Sequence, residues 1–310
     1  MRLNARRACT GLALVALSLP ALASGGDGAG PPVTVWVRGR ADYGGGTYSL
    51  REGARSVDLL ALSQSEQTLY DPQYGRKLLY KGVTLDQILK AYAPPATVDV
   101  ALLHFANQMI VSLPLRSTAA RRVPRVFVAL GYWSERERRW SASFPPVRRD
   151  NAGYADVRPV HFSSNKVVVE GGLHPDLPEA ALKTFTPWRF VDTLVSIELV
   201  RGAAYDRQFQ VPGDDLVKQG FAIYKQSCGF CHAVRRVGPG HGWDFVEPVA
   251  LHAYRLSGRN LFYHVRYQPF DAPAKGLLMP ALSHLSRKGA EAVWHWMRAV
   301  ASQKLHAYEP

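Results

Sequence analysis

Cys228-Gly229-Phe230-Cys231-His232 is the stretch on which the reading of this chain turns. Two thiols three positions apart fall on one side of a helical turn, and the imidazole follows directly. That spacing suits two thioether bonds to a single porphyrin with the histidine beneath the iron. Two other chemistries use such a pair. A redox dithiol needs a βαβ setting, which the flanking sequence lacks, and a zinc site needs further thiolates or a spaced histidine pair. The chain has three cysteines in all, and Cys9 lies near its start, so no disulfide framework is expected. One covalently attached haem c is the expectation, held by Cys228, Cys231 and His232.

Moving outward, apolar residues stand at helical spacing on both sides of this segment. Val217, Gly220, Phe221 and Tyr224 precede it, and Val293, Trp296, Met297 and Val300 lie near the end of the chain behind Ser286, a candidate helix cap. Gly220 would let two helices cross closely, with Tyr224 against Trp296. With Val237-Gly238-Pro239 and Leu278-Met279-Pro280-Ala281-Leu282, this pattern resembles the class I cytochromes c over about residues 211–310. The resemblance implies an all-α domain. It implies that the carbonyl of Pro239 accepts the ring proton of His232, and that Met279 is the sixth ligand of the iron. Met297 sits on an apolar helix face and reads as a packing residue. His241, His252, His264 and His284 are rival axial ligands.

Residues 33–200 read differently. Val33–Val37, Leu78–Lys81, Val98–Phe105, Met109–Leu113, Val126–Tyr132, Lys166–Glu170 and Leu194–Val200 are short β-branched or aromatic runs punctuated by turn residues. One helix interrupts them: Thr84 and Gln87 form a capping box ahead of Leu85, Ile88, Leu89 and Tyr92, and Pro94-Pro95 ends it. Asn107-Gln108 reads as a turn between two strands. The run from Glu135 to Arg139 reads as a solvated loop. Residues 79–89, 98–115 and 194–200 together resemble the sulfite-oxidase-type molybdopterin-binding fold. That family binds molybdenum through a cysteine thiolate, and no cysteine stands between residues 24 and 227. Covalent haem is attached to an unfolded chain after export, whereas a molybdenum cofactor is inserted before it. No molybdenum cofactor is therefore expected here.

The expected organisation is a signal peptide over 1–23, with Arg2, Arg6 and Arg7 before the apolar stretch Gly11–Leu22, and a leader over 24–32. A β-rich α+β domain of sulfite-oxidase type follows over 33–200, then a linker over 201–212 and the all-α haem domain over 213–310. Removing those three arginines from 38 basic and 25 acidic residues leaves a net charge of +10. No basic run interleaved with aromatics points to nucleic acid, and no span remains to cross a membrane once the signal is gone. Such a charge suits a redox partner with an acidic docking face, met by Lys225, Arg235, Arg236, Lys275, Arg287 and Lys288. The expected function is periplasmic electron transfer, as a carrier or haem subunit for a partner oxidoreductase. Two other readings stay open. The front domain could oxidise a small substrate and pass electrons to the haem, or the chain could be a haem-based sensor.

Overall fold

Strand β7 (Val126–Ser134) shows how the front of the chain is built. Successive side chains of a strand point to opposite faces. Val126, Val128 and Leu130 enter one apolar core, while Phe127 and Ala129 enter a second with Tyr80, Phe144 and Val168. A strand buried on both faces reads as a continuous apolar run, and this one does. The computed structural model describes residues 34–40, 55–92, 98–116, 123–145, 164–174, 186–189, 191, 193–253, 257–267 and 281–303. The signal peptide, the leader, Met279 and Lys275 lie outside them.

The described strands form two five-stranded sheets. In the first, β1 (Thr34–Arg40), β2 (Arg55–Asp58), β5 (Val100–Phe105), β6 (Ile110–Pro114) and β10 (Leu194–Val200) run in the order β2-β1-β10-β5-β6. Only β1 and β10 pair in parallel, with Val37 opposite Ile197; the other neighbours are antiparallel. In the second, β3 (Ser65–Asp71), β4 (Arg76–Thr84), β7 and β8 (Arg139–Ser141) follow in order, and β9 (Lys166–Val169) pairs with β7.

Helix α1 (Leu85–Tyr92) is capped as the sequence predicts. The Thr84 amide donates to Gln87 Oε1 at 2.8 Å, and the Gln87 amide donates to Thr84 Oγ1 at 3.2 Å. The Glu135–Arg139 run is exposed throughout, as a solvated loop should be. It turns β7 into β8, with Arg138 at φ 51° and Arg139 paired to Glu137 at 2.9 Å. Among the strands of the second sheet, Lys166 lies 2.5 Å from Asp71, and the Tyr80 hydroxyl donates to the same carboxylate at 2.5 Å. All three are buried. Burial pulls the Lys166 ammonium below its usual pKa, against the opposing attraction of Asp71.

The expectation of an α+β domain followed by an all-α cytochrome domain is overturned. Residues 32–310 form one compact α+β unit, mostly strands among its regular elements, with five described helices. After α1 come α2 (Gly202–Arg207), α3 (Asp215–Ser227), α4 (Gly258–Tyr267) and α5 (Arg287–Ser302). Between α3 and α4 the chain runs through turns, an isolated bridge between Val234 and Val237, and a short 3₁₀ turn. That segment exchanges hydrogen bonds with the β5–β6 hairpin. Ile110 N donates to the Phe230 carbonyl at 3.1 Å, and Gly240 N donates to the Gln108 carbonyl at 3.1 Å. The rest of that backbone bonds within the segment, as Gly242 N to the Cys231 carbonyl and Phe245 N to the Ala233 carbonyl, so two bonds to the β5–β6 hairpin tie a self-paired loop to the sheet.

Candidate functional site

Helix α3 delivers the cysteine pair. Asp214 caps its start by accepting from the Val217 amide at 3.0 Å, and Cys228 is its C-terminal cap. The crossing with α5 needs Gly220, because a β-carbon there would stand 2.1 Å from the Ala292 carbonyl oxygen and 2.6 Å from Trp296 Cβ. That close approach seats Tyr224 on Trp296, with ring centroids 4.4 Å apart. The Tyr224 hydroxyl then donates to the His232 carbonyl at 2.8 Å.

Past the cap the chain makes one more helical turn. The amides of Cys231 and His232 both donate to the Cys228 carbonyl, at 3.1 and 3.0 Å. This turn gathers Cys228, Cys231 and His232. Neither cysteine is in a disulfide. The Cys228 thiol is buried, and that burial, with Cys231 beside it, pushes its pKa up to about 12. It also sits at the negative end of the helix dipole, which disfavours a thiolate.

His232 is fixed from the other side by the loop that returns past it. Its Nδ1 lies 2.8 Å from the Trp243 carbonyl oxygen. A carbonyl only accepts, so Nδ1 carries the proton and Nε2 keeps its lone pair. The ring packs on Phe245 at 4.7 Å. Gly242 brushes it so closely that a β-carbon would stand 2.6 Å from the imidazole. Burial lowers the His232 pKa, with the Trp243 hydrogen bond opposing and His241 and His264 adding to the fall. The resemblance implied Pro239 for the acceptor role, and in the structure the Trp243 carbonyl takes it. The backbone next to Pro239 is drawn to the hairpin at Gln108, whereas Gly242 lets the following peptide lie against the ring.

The loop between is a tight turn. Val234 and Val237 exchange both main-chain hydrogen bonds, and Arg235 and Arg236 stand at φ 53° and 63°. Asp244 holds this turn by accepting from the amides of Arg235, Arg236, Val246 and Glu247, at 3.1, 2.5, 2.7 and 3.0 Å. His241 is buried with Nδ1 2.8 Å from the Asn107 carbonyl, so the hairpin orients that ring too. His284 meets Ser227 Oγ at 2.9 Å. Met297 is buried in the α5 interface, as its spacing predicts.

Several expected rim charges are already engaged. Lys225 pairs with Asp206 at 2.7 Å, Arg236 with Glu247, and Arg235 donates to the Val300 carbonyl. Among the described residues no group of three or more His, Cys, Asp or Glu is arranged to hold a metal ion, and no helix is long and apolar enough to cross a membrane. The chain matches no family model, and no curated protein or solved structure is significantly similar to it.

Proposed function

We propose that the chain carries one haem c joined to Cys228 and Cys231, with His232 Nε2 as an axial ligand, and that it transfers electrons in the periplasm. The observation that carries this reading is the hydrogen bond from His232 Nδ1 to the Trp243 carbonyl, made in the turn that holds both thiols. It selects the tautomer a metal needs and raises the basicity of the ligating nitrogen. The rival dithiol reading asks for a cysteine with a depressed pKa at a helix N-terminus. Cys228 has a raised one at a helix C-terminus. When bound, the haem supplies reversible one-electron exchange between ferric and ferrous iron. The residues of the chain orient His232, bury Cys228 and tie the loop to the sheets.

Met279 is proposed as the sixth ligand, since a thioether raises the potential relative to a second imidazole. The front sheets, with no cysteine to bind molybdenum, serve in this reading as a docking module for a partner oxidoreductase with an acidic face. The test is production in a host competent in cytochrome maturation. A red product heavier by one haem, with a weak near-infrared sulfur band that Met279→Ala removes, is expected. A colourless product with the mass of the bare polypeptide overturns the haem assignment. Survival of the band in Met279→Ala overturns that ligand alone.

A further inference from the structure

The first sheet and the Cys228–His232 segment border a partly open cavity of about 470 Å³, within the range of about 300–1,000 Å³ usual for small-molecule sites. It is lined by Gly229 and Phe230, the two residues between the cysteines, and by Ile110 and Ser112 of β6. Tyr205, Phe209, Tyr224, Phe230 and His174 bring five rings to its walls. The last four are buried. Several touch each other edge to face, as His174 does Phe230 at 5.0 Å and Tyr205 does Phe209 at 5.0 Å. Ring edges and faces presented together favour a planar aromatic guest.

Charge decides which kind of aromatic. Two acids, Asp99 and Asp206, and two bases, Arg116 and Lys225, border the space. Lys225 is bound to Asp206 at 2.7 Å, and Asp99 accepts from the Gly202 amide at 2.7 Å. The balance is even, so an ionic guest would lose hydration without a net counter-charge, whereas a neutral one loses little. The hydroxyl-bearing Ser112 and Tyr205 suit hydroxyl or carbonyl groups on its rim. We propose that this cavity is a binding site for a small neutral aromatic molecule of the phenol or quinone class, seated against the Cys228–Cys231 segment.

The inference stands on the cavity and not on the haem, and its test reads binding alone. The mature protein is titrated with 4-hydroxybenzamide by calorimetry and by saturation-transfer NMR, with the anion 4-hydroxybenzoate as comparator. The neutral probe is expected to bind with a dissociation constant on the order of a millimolar or better, and the anion at least about tenfold more weakly. Ser112→Phe fills the cavity from the sheet, and Ala203→Trp blocks it from the exposed face of α2. Each should weaken the neutral probe about tenfold or more, with the thermal unfolding of the variants used to show that they fold. No binding by the natural chain, equal binding of the anion, or undiminished binding by both folded variants overturns the proposal. A colourless protein that binds the neutral probe supports it while sinking the haem reading.

Discussion

Tyr224 stacks on Trp296 at an interplanar angle of 29°, and one turn away Gly220 lets the two helices that carry these rings touch backbone to backbone at Ala292. Trp296 closes the contact by donating its indole N–H to the Phe209 carbonyl at 3.0 Å. The crossing sets the depth at which α3 lies, and hence where its last turn presents Cys228.

Gly220→Ala tests that crossing. A methyl group 2.1 Å from the Ala292 oxygen cannot be relieved by a rotamer change, because the obstacle is main chain. Forcing the helices apart should cost about 2–3 kcal/mol, beyond the gain of up to about 1 kcal/mol that alanine brings to a helix interior. Urea unfolding measures it, and an unchanged midpoint would mean the helices do not cross here.

Arg236→Gly should be tolerated better than Arg236→Ala. A non-glycine residue at φ 63° gives up about 1 kcal/mol to left-handed strain. The substitution also removes the ion pair with Glu247, but the Arg236 side chain is 84% exposed, and such pairs contribute about 0–1 kcal/mol. Relief of strain is offset by the lost pair and by the added freedom of the unfolded chain, about 0.5–1 kcal/mol, so the net change stays within about 1 kcal/mol. Arg236→Ala, which loses the pair and keeps the strain, is the control, and glycine should exceed it in the urea midpoint.

Neighbouring positions in the His232 loop should behave in opposite ways. Trp243 acts through its main-chain oxygen, and its side chain is 63% exposed. Trp243→Ala should therefore leave stability within about 0.5 kcal/mol and the absorption spectrum unchanged. Gly242→Ala places a methyl against the imidazole. The ring or the loop must shift, with about 1–3 kcal/mol lost and, for the haem proposed above, a rising high-spin fraction in the visible spectrum. A spectrum altered by Trp243→Ala and not by Gly242→Ala would mean the ring is held by something else.

This pair also marks the limit of what could be read in advance. Local patterns were legible: the Thr84–Gln87 box, the Ser286 cap that accepts from Gly289 at 3.0 Å, and the Asn107–Gln108 turn with Gln108 at φ 65° all depend on residues within a few positions. Strand β3 was not, because Ser65–Asp71 alternates weakly and only Asp71 is fully buried. Strand β8 hid behind the charges of its own turn. The acceptor for His232 is a carbonyl, which every residue owns, so no side-chain pattern could single out Trp243. The all-α expectation failed for a related reason. Hydrogen bonds from Ile110 and to Gln108 are main-chain contacts across more than a hundred positions, and they leave no mark on composition.

Lys166→Met should be among the most destabilising changes in the front sheets. Asp71 keeps the Tyr80 hydroxyl and the Gln73 amide, at 2.5 and 2.8 Å, but loses the buried ammonium paired with it. Breaking one side of such a pair costs about 3–5 kcal/mol. Lys166→Met combined with Asp71→Asn removes both charges and should recover a large part of that loss. If the double variant is no more stable than the single, charge burial is not the cause.

Alkaline pH should unfold the protein through its phenols. Burial raises the pKa values of Tyr80 and Tyr224 above the usual 10, with Asp71 adding to the first and Tyr205 to the second. A folded pKa above the unfolded one gives stability that is whole below pH 10 and is lost as pH rises toward the folded value. In that window the unfolded chain releases protons that the folded chain keeps. Each buried phenol then removes about 1.4 kcal/mol per pH unit. Lys166 acts in the other direction. Its folded pKa is lowered, so the unfolded chain holds the extra proton and stability climbs with pH until 10.5. The urea midpoint should therefore rise gently up to about pH 10 and fall steeply above it. Lys166→Met should lose the rising limb and keep the fall. A midpoint still climbing at pH 11 would show that these phenols are open to solvent.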